Sequence, residues 1–153
     1  MSRILTAAIV AVLLLAGGAG SASAATLKDI LTAAAPIKVI TPDMLEANVF
    51  KGGRTGFLHR APDDGILFSA IGPADDIEEV NALISFDEEN GIIRLLAVYQ
   101  VVGVAAESDD AVDWAVQVMK RLGRGKKKVF SKYEVEFLPI GSALWVTVKK
   151  NPQ

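Results

Sequence analysis

The C-terminal part of the chain alternates between apolar and polar side chains, and this period of two limits what the chain can fold into. In KKVFSKYEVEFLP, one alternating set is expected to face the core: Val129, Ser131, Tyr133, Val135 and Phe137. The intervening set is expected to face mostly water: Phe130, Lys132, Glu134 and Glu136. In SALWVTVKK the apolar set is Leu144, Val146 and Val148. Because successive strand side chains point to opposite faces, these segments predict two strands, joined by PIGS, in an antiparallel sheet with one solvated face.

The segment SDDAVDWAVQVMKRLG predicts one long helix over about 109–122. Ser108 or Asp109 is placed to cap its N-terminus, and acidic residues fill the first turn, where the partial positive charge of the helix favours them. Basic residues fill the last turn, and Gly123 supplies the C-terminal stop. One face of this helix is apolar, with Trp114 beside it: Ala111, Ala115, Val118 and Leu122.

Two shorter helices are expected near the N-terminus. The segment ATLKDILTAAAP predicts a helix that Pro36 ends, with an apolar stripe made of Leu27, Ile30, Leu31 and Ala34. The segment TPDMLEANVF predicts the start of a second helix, because Thr41 can cap it and Pro42 suits the first helical position. The following KGGRTG is a loop by composition.

The middle of the chain predicts strands separated by turns. GILFSAIG (65–72) is a strand bounded by glycines, PADD is a turn, and a further strand runs from about 80 to 87. EENG is expected to close a hairpin, since Asn90 and Gly91 tolerate the positive φ of tight turns. The β-branched content of 92–106 then favours a strand. That segment is longer than most strands, so the sequence allows either a strand or a helix after Tyr99.

Together these elements predict an α+β domain with an antiparallel sheet of about four to five strands. One main helix, at about 109–122, packs on a face of the sheet, and short helices precede it. Residues 1–24 are expected to be a secretory signal peptide and residues 25–153 a single domain. Without cysteine in the chain, that domain must be stabilised by its core and not by disulfides.

The prediction of a signal peptide rests on the first 24 residues. Arg3 supplies the charged start, an apolar run follows, and Ala22 and Ala24 form the A-x-A pattern of a cleavage site. We therefore expect cleavage after Ala24, export to the periplasm or the extracellular space, and a soluble product. The alternative is a leader retained as a membrane anchor, which its glycines and the short apolar run disfavour. A lipid anchor is excluded, because that processing requires a cysteine after the cleavage site.

The sequence offers no recognisable catalytic or metal-binding pattern. His59 is the only histidine, no serine lies in a G-x-S-x-G elbow, and a solvated loop is the expected setting of His59. The acidic run Asp87–Glu89 lacks the spacing of a calcium loop and is expected to be a solvated hairpin tip. We therefore expect no catalytic residue, no metal site and no cofactor.

The segment RLGRGKKKVF concentrates positive charge. Seven basic residues and no acidic residue lie from Lys120 to Lys132, whereas 63–113 contains 13 acidic residues and one basic residue. The candidate binding residues are Arg124, Lys126, Lys127 and Lys128, with Trp145. The alternatives are a solvated turn at the end of a helix, or an intramolecular contact with the acidic segment. Trp145 is expected to frame a small apolar groove if it faces outward with Phe130.

Three functional hypotheses follow from these patterns. The leading one is a non-enzymatic binding or accessory module that contacts another protein or an anionic envelope surface. The alternatives are a carrier of an apolar or anionic small molecule held between helix and sheet, and an enzyme that uses carboxylates and His59. The net charge of −3 without the leader gives no indication of nucleic-acid binding. The sequence does not predict an oligomeric state.

Overall fold

A computed structural model describes residues 24–61, 66–86, 89, 91–121 and 123–151. Its α-helices are α1 (Leu27–Ala34), α2 (Gly91–Ala106) and α3 (Asp109–Met119). Its strands are β1 (Glu46–Val49), β2 (Thr55–Ala61), β3 (Ile66–Ile71), β4 (Glu79–Ser85), β5 (Lys126–Phe130), β6 (Tyr133–Ile140) and β7 (Ala143–Lys150). Two single 3₁₀ turns lie at Pro42–Met44 and Lys51–Gly53.

The seven described strands form one antiparallel sheet in the order β1-β2-β3-β4-β7-β6-β5. The predicted fold class, mixed α and β with an antiparallel sheet, is confirmed. The described part of the chain nevertheless has seven strands and three helices, more than the four to five strands and one main helix expected. The predicted signal peptide lies outside the described residues, except for Ala24.

The first helix forms as the sequence predicts. Thr26 and Asp29 make a capping box, in which the Asp29 backbone N–H donates to Thr26 Oγ1 and the Thr26 backbone N–H donates to Asp29 Oδ2. All four residues of the predicted apolar stripe are buried. The helix ends at Ala34, two residues before Pro36, which disfavours helical backbone at the residue that precedes it.

The prediction of a second N-terminal helix is wrong. Pro42 starts a turn, as its fixed φ favours, but the Leu45 N–H donates to the Pro42 carbonyl and the chain then becomes extended. Residues Glu46–Val49 pair with β2, so their backbone groups join the sheet instead of a helix. The segment that was predicted to form a helix start followed by a loop therefore contributes to two strands that were not expected, β1 and β2.

The expected strand at 92–106 is also wrong, because α2 spans this segment and leaves the expected hairpin without its second strand. Glu88 and Asn90 of EENG lie outside the described residues. Side chains around most of its circumference are buried: Ala97, Val98, Tyr99, Val101, Val102, Ala105 and Ala106. A helix packed between other helices and a sheet needs no polar stripe, so the helical period is lost from its sequence. Gly103 allows α3 to approach closely, since a Cβ there would lie 2.7 Å from Val112 Cγ2. The helical alternative for the part after Tyr99 is confirmed.

The helix predicted at 109–122 is confirmed, with its end at Met119. The Ser108 hydroxyl accepts a hydrogen bond from the Ala111 N–H, as expected of an N-cap. This helix is not the main one on the sheet, because α2 packs against β4, β6 and β7. Trp114 of α3 stacks on Phe137, with ring centroids 5.5 Å apart.

The two faces of the sheet have different roles. The helix face carries Phe68, Ala82, Val146 and Phe137 along one row of paired residues, and these join the helices in one core. On the outer face, the neighbouring row contains Ser69, Asn81, Thr147 and Glu136. No described helix packs on this outer face.

KKVFSKYEVEFLP is a hairpin and not a single strand. Ser131 adopts φ 35°, and the chain turns there between β5 and β6. The turn shifts the alternation, so that Phe130 is buried and Val129 is 58% exposed, opposite to the prediction. The inward positions Tyr133, Val135 and Phe137 of β6 are confirmed.

Candidate functional site

The four predicted cationic residues lie together at one edge of the sheet. Lys126, Lys127 and Lys128 begin β5, Arg124 precedes it, and all four are exposed. We call Arg124 and Lys126–Lys128 the basic edge. Among the described strands, β5 pairs with β6 alone, so the backbone groups on its other side are not used in the described sheet. The basic edge thus combines a row of cations with backbone that can accept a further strand.

The cations of the basic edge are only partly neutralised. Lys127 Nζ lies 2.8 Å from Glu134 Oε1, and this hydrogen bond raises the pKa of Lys127, aided by the charges of Glu134 and Glu136 and opposed by burial. Lys128 Nζ lies 4.9 Å from the Phe130 ring centroid, within cation–π range. In the part of the chain that the structure describes, Arg124 and Lys126 form no ion pair.

An intramolecular role for the basic edge receives no support from these contacts. Its one ion pair is with Glu134 in the adjacent strand, which lies outside the acidic segment 63–113. That segment forms other contacts: Arg54 Nη1 lies 2.7 Å from Glu79 Oε2, and Lys150 Nζ lies 2.9 Å from Asp76 Oδ1. Asp76, Glu78 and Glu79 of this segment are thus paired with cations outside the basic edge.

The expected groove between Trp145 and Phe130 does not exist, because the two rings lie on opposite faces of the sheet. Phe130 contacts Trp114 on the helix face, with ring centroids 5.7 Å apart. Trp145 lies on the outer face between Leu83 of β4 and Leu138 of β6. Lys127 shares this outer face, whereas Lys126 and Lys128 alternate to the helix face. Trp145 therefore belongs to an apolar row beside the basic edge, not to a groove.

A chain of polar side chains crosses the outer face and was not predicted from the sequence. Trp145 Nε1 donates to Thr147 Oγ1, and Thr147 Oγ1 donates to Asn81 Oδ1, each over 2.9 Å. Asn81 Nδ2 donates to Glu79 Oε1 over 2.9 Å, and Arg54 Nη1 donates to Glu79 Oε2 over 2.7 Å. The sequence signal for this chain is the polar residue within an apolar strand, as in VNAL.

Glu79 remains the charged centre of this chain of hydrogen bonds. Burial acts to raise the pKa of Glu79, but hydrogen bonds from Asn81 and Arg54, with the charges of Arg54 and Lys149, outweigh it and hold the pKa below its ordinary value. Every group in the chain is a hydrogen-bond partner of the next. Its role is to fix β4 against β7 and to tie the loop before β2 to the sheet.

Replacing Thr147 with Val should lower the free energy of unfolding by about 1–3 kcal/mol, because both Trp145 Nε1 and Asn81 Oδ1 lose their partner. Urea denaturation measures this change. Thr55→Val is the matched control, since Thr55 is an exposed strand residue. Equal stability of both variants would show that the chain of hydrogen bonds does not stabilise the sheet.

The prediction of a solvated loop for His59 is wrong, because His59 is 6% exposed within β2. Its Nδ1 lies 3.5 Å from the Met44 carbonyl oxygen, and its Nε2 has no hydrogen-bond partner among the residues that the structure describes. It lies on the helix face, where it pairs with Phe68 of the neighbouring strand. Asp63, Asp64 and the expected acidic tip at 87–89, apart from Glu89, lie outside the described residues.

A small apolar cavity lies between α1, α2 and the sheet. Its volume is about 20 Å³, room for roughly one water molecule. Its lining is apolar apart from Lys38: Ala34, Ile37, Ile40, Ile66, Phe68, Ala82, Ile84, Val98, Val101 and Val146. A ligand carried between helix and sheet would have to separate these residues.

The described residues meet the requirements neither of a metal site nor of a membrane-spanning helix. They contain no group of three or more acidic or histidine side chains placed to hold a metal ion. None of their helices combines the length and the apolar character needed to cross a membrane.

Comparison of the chain with protein-family models, curated proteins and solved structures finds no match.

Proposed function

We propose that this chain is a small exported, non-enzymatic binding module that recognises an acidic, extended segment of another protein along β5. The observation that carries the proposal is the basic edge: exposed cations on a terminal strand whose outer backbone groups are not used in the sheet. An extended segment can add to such an edge through main-chain hydrogen bonds. Acidic side chains on that segment would meet cations on both of its faces, because Lys127 alternates with Lys126 and Lys128.

The charges of the basic edge supply selectivity. Exposed ion pairs contribute about 0.2–1 kcal/mol each, so three of them change the affinity by about threefold to 150-fold. The same lysines disfavour pairing of two β5 edges from two copies of the chain, because like charges would face each other. Val129, which is 58% exposed, offers one apolar contact among them. Main-chain bonds would thus hold the partner, and charge would select an acidic one.

The proposed place of action is the periplasm or the extracellular space. The charged start, the apolar run and the A-x-A pattern ending at Ala24 support cleavage of residues 1–24 during export. The absence of cysteine is compatible with an oxidising compartment, since no thiol is left to react.

A charge-reversal experiment tests the proposed interaction. A short fluorescent peptide of alternating Glu and Val serves as the probe, and anisotropy in about 0.1 M salt measures its binding. The variant Lys126→Glu with Lys128→Glu should bind this peptide at least about tenfold more weakly, while Lys127 and its ion pair stay in place. Raising the salt to about 1 M should weaken binding to the unmodified protein.

The matched control reverses two exposed lysines elsewhere, Lys28 and Lys51, and gives the same net charge. It should bind the acidic peptide nearly as well as the unmodified protein. Equal loss in both variants, or binding of a Lys–Val peptide with the same affinity, would contradict the proposal. Binding to vesicles of anionic phospholipid in place of the peptide would assign the basic edge to a membrane surface instead.

A further inference from the structure

The backbone nitrogen of Ala25 lies in a carboxylate site. Ala25 N donates to Glu107 Oε1 over 3.1 Å, and the Tyr133 hydroxyl donates to the same oxygen over 2.6 Å. Ala25 is 4% exposed and Tyr133 3% exposed. The residue after the predicted cleavage site is therefore buried against an acidic side chain far away in the sequence.

The position of Ala25 is fixed by backbone contacts on both sides. The Ile77 N–H donates to the Ala25 carbonyl over 3.0 Å, and the Leu27 N–H donates to the Ala74 carbonyl over 2.8 Å. The capping box that starts α1 follows at once. These bonds place the Ala25 nitrogen independently of Glu107, so the carboxylate meets an atom that is already in place.

Glu107 is held in an unusual conformation, and its nearest charge of opposite sign, Lys150, acts on it only at a distance. Glu107 connects α2 to α3 with φ 50°, a region that favours glycine and costs other residues about 1–3 kcal/mol. No described lysine or arginine forms an ion pair with it. Glu107 accepts hydrogen bonds from the Ala25 amide and from the Tyr133 hydroxyl. Burial, together with this hydrogen bond, raises the pKa of the Tyr133 hydroxyl.

We propose that cleavage between Ala24 and Ala25 creates the missing cation, so that removal of the leader stabilises the fold. Hydrolysis adds one water molecule across the peptide bond: Ala24 leaves with a carboxylate, and the Ala25 nitrogen becomes an ammonium group. That ammonium forms an ion pair with Glu107 in place of the neutral amide contact. Charge-assisted hydrogen bonds are roughly twice as strong as neutral ones. Since Ala25 is buried in the fold, cleavage precedes the final packing of this region.

The charged surroundings favour an ammonium at this position. The groups on the neighbouring elements are Glu107, Tyr133, Asp76, Glu78, Asp29 and Lys150. Four of these six are acidic, and the one cation, Lys150, is hydrogen-bonded to Asp76. Burial of Ala25 acts to lower the pKa of its ammonium group, but we expect the surrounding negative charge to outweigh burial and to raise this pKa above its ordinary value. A raised pKa stabilises the fold below the unfolded value, and this contribution is lost as pH rises through the raised pKa.

The inference rests on the proposed cleavage after Ala24, and the experiment tests the cleavage site and the ion pair separately. The mass of the exported protein gives its first residue; a start elsewhere than Ala25 overturns the proposed processing alone. The ion pair is tested with chains released from a fusion so that they begin at Ala25 or at Ser23, each with Glu107 or with Glu107→Gln. The Ser23 chain carries its ammonium two residues away and serves as the control.

Thermal unfolding and ¹⁵N NMR titration of the Ala25 amine are the readouts. At neutral pH the chain that begins at Ala25 should melt higher than the extended chain, and Glu107→Gln should remove that difference. The amine pKa should be raised in the chain with Glu107 and return toward its usual value in the Gln variant. Equal melting temperatures of the two chains with Glu107, or an ordinary amine pKa, would overturn the ion pair.

Discussion

Replacing Phe137 with Ala should destabilise the domain by about 3–5 kcal/mol, a large part of the stability of a chain of this size. Phe137 is fully buried on the helix face, where it stacks against Trp114 and lies opposite Val146. Removing its ring opens a cavity between the sheet and α3 and leaves the Trp114 ring without its stacking partner. Urea denaturation followed by tryptophan fluorescence measures both the loss of stability and the change around Trp114.

The adjacent residue gives a matched control for this prediction. Leu138 lies on the outer face and is 43% exposed, so Leu138→Ala should cost less than about 1 kcal/mol. A comparable loss from both substitutions would show that the outer face is packed as tightly as the helix face. That result would contradict the assignment of the two faces.

Replacing Gly56 with Ala should cost about 3 kcal/mol or more, because the added methyl group meets backbone that cannot move aside. A Cβ at Gly56 would lie 2.3 Å from the Ala70 carbonyl oxygen and 2.7 Å from Ile71 Cα. These atoms belong to β3, which pairs with β2 at this point, so the ladder would have to open. The measurement is the urea midpoint, with the yield of soluble protein as a second readout.

Gly123 is the control for Gly56. A Cβ at Gly123 meets nothing within 4 Å, and its φ is not positive. Gly123→Ala should change stability by less than about 0.5 kcal/mol. A mild effect at both glycines would show that β2 and β3 are not as close at Gly56 as the structure places them.

Most of the elements that were predicted correctly have a polar side or clear caps. Strands β4, β6 and β7 and helices α1 and α3 are of this kind, and their patterns are visible in the sequence. Strand β3 is buried along nearly its whole length, and it was recognised as a short apolar run between glycines. Helix α2 is buried on most sides, and its β-branched residues then favour the wrong element. Strand β1 was missed because Thr41 and Pro42 have the pattern of a helix start, and strand β2 was missed because the glycines around Lys51–Gly53 gave that region the composition of a loop.

The residues of the candidate site were predicted from the sequence, but their arrangement in space was not. A run of lysines is visible in any sequence, whereas its place on a terminal strand depends on β5 pairing with β6 alone. The positive φ at Ser131 reverses the faces of Phe130 and Val129, and the groove expected with Trp145 disappears. The carboxylate site at Ala25 joins residues 82 positions apart, a contact that no local pattern encodes.

Hydrogen exchange of the protein with and without the Glu–Val peptide tests the central proposal most directly, because strand addition must protect backbone amides of β5. We expect slower exchange within Lys126–Phe130 when the peptide is bound, and unchanged exchange in β1 at the opposite edge of the sheet. Protection at β1 or on the outer face, or binding without protection of β5, would contradict recognition through the basic edge.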